Sequence, residues 1–183
     1  YLLDTNVAEN TPQDQQLLAR LYTADPEQRI QQEILLGIGG VRLLRELGVE
    51  PSVWHANEGH VAFMMLERCR ELLINCLDFT EALGQVQATT VFTTHTTVPA
   101  GNDAFTHSLT EKYLADYWGS LALDREAFLK LGAHESGNGA FSMTVLALKL
   151  ARQRNAVSQL HGAVCRRMWH SLWPAIEEKD VPI

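Results

Sequence analysis

Three short polar clusters carry side chains suited to reading or transforming a ligand. They are His55-Ala56-Asn57-Glu58-Gly59-His60, Thr93-Thr94-His95-Thr96 and Arg154-Asn155-Ala156-Val157. Imidazoles and carboxylates move protons or ligate metals, and side-chain amides hydrogen-bond the hydroxyls of neutral ligands. The first two clusters end apolar or β-branched runs, the place where open α/β sheets hold their ligands. With those runs as neighbouring strands, His60 and His95 are expected to face one crevice. Each cluster also has a plainer reading. Asn57 suits a helix N-cap, with Glu58 favouring the positive end of that helix. The Thr-rich run suits a purely structural strand, and Asn155 a turn. A metal-dependent hydrolase on His55, Glu58 and His60 is a further alternative. Against it, His-x4-His across a loop is not standard zinc spacing, and His134-Glu135 lacks the second His of HExxH.

The elements that position these clusters follow from period and punctuation. Tyr1–Leu3 reads as a strand, so a chain opening in mid-strand without an initiator Met is expected to be partial. Thr11-Pro12 and Asp25-Pro26 each place a cap before a helix-opening proline. The first helix is expected to run to about Tyr22. In the second, Ile30, Ile34, Ile38, Val41 and Leu44 keep the helical period as far as Gly48. Gly37, Gly39 and Gly40 lie inside it, which fits the close approach of another backbone or a bound anion. Val49–His55 reads as a buried strand, Gly59–Leu73 as a helix, and Asp78 as the start of another. Thr89–His95 is the clearest strand. Ala104–Trp118, Asp124–Gly132, Phe141–Arg152 and Ser158–Trp169 read as helices, with a short strand or connector at Asn155–Val157. Strands alternating with long helices indicate α/β layering on a parallel sheet.

Composition narrows the classes. In 183 residues, 46% apolar, 15 Lys and Arg face 22 Asp and Glu, for a net charge of −7. That balance argues against a nucleic-acid backbone as partner, since such affinity comes from clustered cations. No stretch reaches the roughly 18 to 20 apolar residues of a membrane span. The cysteines Cys69, Cys76 and Cys165 read as thiols of a reducing compartment rather than a disulfide framework.

Six segments in register resemble the α-glucan phosphorylase family, which acts on glycogen, starch and maltodextrins, and above all its short bacterial-type branch. They are Leu2-Leu3-Asp4-Thr5-Asn6, Arg29–Gly40, Trp54–His60, Thr93–Gly101, Met143–Leu148 and Arg154–His161. The resemblance implies the two-lobed GT-B architecture, of which residues 1–183 would be a helix-rich, Rossmann-like part of the N-terminal lobe. It implies phosphorolysis of α-1,4-glucan to glucose 1-phosphate with retained configuration, in a cytoplasmic homo-oligomer. Pyridoxal 5'-phosphate is expected on a lysine of the C-terminal lobe, outside this chain, so the piece alone is expected to be inactive.

Residue by residue, His95 matches the family histidine that bonds the 6-hydroxyl of the reacting glucose and lends a backbone carbonyl near the reaction centre. Asn155 matches the asparagine at the 4- and 6-hydroxyls. Glu58 and His60, with neighbouring Asn57, stand on the acceptor-glucan side. Gly37, Gly39 and Gly40 match a segment near the cofactor phosphate. Ala156 stands where many members have glycine. A non-catalytic α/β carbohydrate-binding module, with His95 and Asn155 binding but nothing reacting, is the alternative beside the hydrolase.

Overall fold

The computed structural model describes residues 2–21, 23–75, 77–98, 101–134 and 139–183. Tyr1, Tyr22, Cys76 and Glu135, on which sequence expectations fall, lie outside them.

A three-stranded parallel sheet is the centre of the fold. Its strands are β1 (Trp54–Asn57), β2 (Thr90–Thr94) and β5 (Gln153–Ala156), in the order β1-β2-β5. The register aligns Ala56, Phe92 and Arg154 in one row and Asn57, Thr93 and Asn155 in the next. Successive side chains of a strand point to opposite faces. Trp54, Ala56 and Phe92 therefore enter the core, while His55, Asn57 and Asn155 stay exposed on the other face. The core extends through helices α4 (Phe63–Ile74) and α8 (Met143–Leu150) to Phe128 of α7 (Arg125–Gly132). Phe128 and Phe141 stack there with centroids 5.5 Å apart.

Capping chemistry sets several helix starts. Thr11 caps α1 (Pro12–Gln15), Asp25 caps α2 (Pro26–Ile34), and Asp78 with Glu81 forms a capping box at α5 (Phe79–Ala88). Helix α2 passes through a π-helical turn, Leu35–Gly39, into α3 (Gly40–Glu46). Such turns occur often at functional sites. Buried Glu67 of α4 ties α3 and α6 (His107–Trp118) to it, accepting from Arg42, Arg70 and Tyr117. Burial pushes its carboxyl up, but those three donors outweigh that and hold it below the usual range.

Several expected bounds need correction. Leu2 and Leu3 form no strand and are exposed, because no neighbouring strand offers them a ladder. Helix α1 stops at Gln15 and gives way to turns. The strand expected over Val49–His55 begins at Trp54, and Val49 and Val53 are exposed. Pro51, without an N–H, cannot support pairing there. Ala104–Thr106 (β3) and Ala140–Ser142 (β4) are not helical but form an antiparallel pair, Phe105 opposite Phe141. Helices α6 and α8 start just after them, capped by Thr106 and Ser142. The helix expected over Ser158–Trp169 is α9 (Gln159–Trp169), with Ser158 as its cap.

The glycine-rich turn divides. A Cβ on Gly37 would lie 2.8 Å from the backbone nitrogen of Met64 and from Phe63 Cβ, so Gly37 is where α4 packs backbone to backbone. Gly39 and Gly40 face open space. Gly37→Ala is therefore expected to cost about 1–3 kcal/mol of stability through overpacking, measured by denaturant unfolding, whereas Gly39→Ala should cost nothing of that kind.

Candidate functional site

The carboxyl ends of the three parallel strands bring the predicted residues to one edge. Glu58 follows β1, His95 follows β2, and Asn155 is the penultimate residue of β5. Glu58 continues the ladder, donating its N–H to the Thr93 carbonyl at 2.9 Å. It does so at φ 73° and ψ 169°, a conformation otherwise almost confined to glycine. The strain turns its carboxylate across the strand ends. There Oε1 accepts from the backbone N–H of His95 and from the Thr96 hydroxyl at 3.0 Å. Glu58 thus clasps β1 to the turn that carries His95, leaving the His95 side chain exposed.

On the outer face, the Thr93 hydroxyl donates to Asn155 Oδ1 at 2.9 Å and lies 2.8 Å from His55 Nε2. One hydroxyl has one proton, so with Asn155 accepting it the His55 Nε2 must carry a hydrogen. Thr93 thereby steadies the Asn155 amide, leaving its NH2 for a ligand. Asn57 shares the register row but is not a helix cap, since the 3-10 turn Gly59–Val61 begins at Glu58 without a side-chain cap.

Beside this edge lies a polar cavity of about 270 Å³, lined by Arg29, Glu58, His60, Thr96, Asp103 and Thr144. The crevice expected to hold His60 and His95 together is instead lined by His60 and Glu58. His95 does not line it and is tied to its rim through Glu58. Burial holds His60 below its ordinary range. The charge of Arg29 pushes the same way, against Glu58 and Asp103, so its imidazole is neutral at pH 7. Gly59 allows α8 to reach the cavity, since a Cβ there would meet the Thr144 nitrogen at 2.9 Å. Thr144 in turn donates to Asn102 at 2.7 Å, anchoring the loop after β2. A second, mainly apolar cavity of about 380 Å³ shares Arg29 and His60.

Arg29, Glu33, Asp103 and Thr144 were not singled out in the sequence as site residues. One signal was available: Glu33 falls on the apolar stripe of α2 beside Ile30 and Ile34, where a charge needs a partner. The trio His55, Glu58 and His60 does not assemble into a metal site. His55 turns to Thr93 and Glu58 to His95, and among the described residues no three His, Cys, Asp or Glu side chains are placed to hold a metal ion. Cys69 and Cys165 are buried free thiols, pushed up by burial to about 12 and about 11. Among the described residues no helix is long and apolar enough to cross a membrane.

Comparison with known proteins gives consistent relatives. The chain is 46% identical over all its 183 residues to the maltodextrin phosphorylase of Thermococcus litoralis, covering 21% of that protein. It is 43% identical, again over its whole length, to the glycogen phosphorylase of Mycobacterium tuberculosis, covering 22% of it. With the glycogen phosphorylase of Aquifex aeolicus the identity is 37% and the share covered 26%. The chain thus spans about a fifth to a quarter of the length of these relatives. No family model matches the chain. The likeness carried by the six motifs therefore extends along the entire sequence.

Proposed function

We propose that this chain is part of an α-1,4-glucan phosphorylase and supplies the glucose- and glucan-facing wall of its active site, within the N-terminal lobe of a GT-B architecture. The observation that carries this reading is the gathering of Glu58, His95 and Asn155 at the ends of three adjacent parallel strands, in a chain related to phosphorylases over its full length. Asn155 and His95 bind the hydroxyls of the terminal glucose, a neutral ligand read by hydrogen bonds. The His95 carbonyl, fixed because Glu58 holds the preceding N–H, sets a dipole beside the anomeric carbon as positive charge develops there. Glu58 and the neutral imidazole of His60 hold the acceptor side of the glucan.

The residues present fit pyridoxal phosphate only as a neighbour. Gly39 and Gly40 leave open space against which a phosphate can approach backbone. The chain's four lysines are engaged or exposed elsewhere. Lys112 pairs with Glu27, Lys149 donates to the Lys130 and Ala133 carbonyls, and Lys130 and Lys179 are exposed. In this reading the anchoring lysine belongs to another part of the parent protein, as the resemblance implies. When bound, the cofactor supplies a phosphate group for proton transfer with inorganic phosphate.

The parent enzyme is cytoplasmic and homo-oligomeric in this reading. Its test is phosphate-dependent release of glucose 1-phosphate from maltodextrin by the full-length protein. The activity should persist in the presence of a metal chelator. Sugar binding without turnover would favour a carbohydrate-binding module instead, and chelator-sensitive hydrolysis a metal-dependent hydrolase.

A further inference from the structure

Glu33 is a carboxylate position with almost no access to water: its side chain is 1% exposed. Arg29, one turn earlier on α2, lies between two acids. Its Nε is 2.9 Å from Glu33 Oε1 and its Nη2 is 3.0 Å from Asp103 Oδ2. Yet among the described residues neither Glu33 oxygen has a hydrogen-bond partner in good geometry. Two ionised carboxylates against one guanidinium would leave a buried negative charge without compensation, a costly arrangement.

We propose that Glu33 is a positioning residue that acts as a neutral carboxylic acid, sharing its proton with Asp103 so that the pair locks the Arg29 guanidinium into the wall of the polar cavity. The proton supplies the missing hydrogen bond, and the cluster of Glu33, Arg29 and Asp103 becomes neutral. Burial, reinforced by Asp103 and only partly offset by Arg29, raises the Glu33 carboxyl to about 9, which agrees with this state at pH 7. The charged and titratable groups around it are Arg29 of α2, Asp103 of the loop before β3, His60 and Glu58 of the β1–α4 connection, and Arg20, which lines the adjoining apolar cavity. No hydrogen bond to another described residue occupies Arg29 Nη1, which stays available to the hydroxyls of a sugar in the cavity. The role of that sugar rests on the phosphorylase reading; the protonation of Glu33 does not.

Both are tested in the full-length protein. Glu33→Gln keeps a neutral donor beside Asp103 and should leave the maltodextrin KM within about twofold. Glu33→Ala should raise it about tenfold with kcat little changed. The wild-type KM should climb as pH passes about 9, while that of Glu33→Gln stays level. A neutral-acid infrared band at pH 7, present in the wild type and absent in Glu33→Gln, reads the protonation without any assay and stands even where Glu33→Ala does not fold. Equal damage by Gln and Ala, the same pH rise in Glu33→Gln, or no such band would overturn the inference. A wild-type protein that shows the band but releases no glucose 1-phosphate would instead reject the phosphorylase reading.

Discussion

Replacing Glu58 by glycine in the full-length protein is expected to lower glucose 1-phosphate production about a hundredfold while destabilising the fold less than Glu58→Ala does. Two terms oppose each other. The side chain's bonds to the His95 N–H and the Thr96 hydroxyl are lost, and a charge-assisted bond contributes about 1.5–3 kcal/mol. Glycine, however, takes φ 73° and ψ 169° freely, relieving strain of about 1–3 kcal/mol, less its extra chain entropy of about 0.5–1 kcal/mol. Glu58→Ala loses the same bonds and keeps the strain, so it should unfold at lower denaturant than Glu58→Gly. That order is the reverse of the one usual for alanine and glycine. Activity falls in both because the His95 segment is no longer clasped to β1, and misplacement on the scale of an ångström is expensive in catalysis. An alanine variant more stable than the glycine one would show that the backbone at residue 58 is not strained.

His95→Ala is expected to reduce kcat by about 10²–10³-fold, the usual cost of one lost preorganised group at a reacting centre. The fold should be untouched, because the imidazole is exposed and its backbone N–H is held by Glu58 whatever the side chain. Unchanged unfolding with a collapsed kcat is the expected pair of results. A folded variant with near-normal turnover would separate His95 from the chemistry.

The outcome at Glu58 also marks where sequence reasoning stops. The strand at Thr90–Thr94, its polar C-terminal turn and the short strand at Asn155 are legible because β-branched runs and punctuation are local properties. The caps at Thr11, Asp25 and Asp78 are legible for the same reason. That Glu58 stands in a glycine-like conformation is not legible, because a carboxylate reaching a neighbouring strand holds it there. The pair β3–β4 is not legible because three residues are too few to show a period, and Phe105 and Phe141 read equally well as helical core. Gly37 was identified as a point of close approach, but only the packing of α4 separates it from Gly39 and Gly40. The Arg29–Glu33–Asp103 cluster depends on a contact between residues 74 positions apart.

The central claim, that the strand ends of this chain hold the terminal glucose of an α-glucan, is tested most directly by a crystal structure of the full-length protein with a bound maltooligosaccharide. The account predicts the Asn155 amide and the His95 imidazole within about 3 Å of hydroxyls of a single glucose ring, with the chain continuing past Glu58 and His60. An oligosaccharide bound to the folded protein with neither side chain in contact with it would contradict the account.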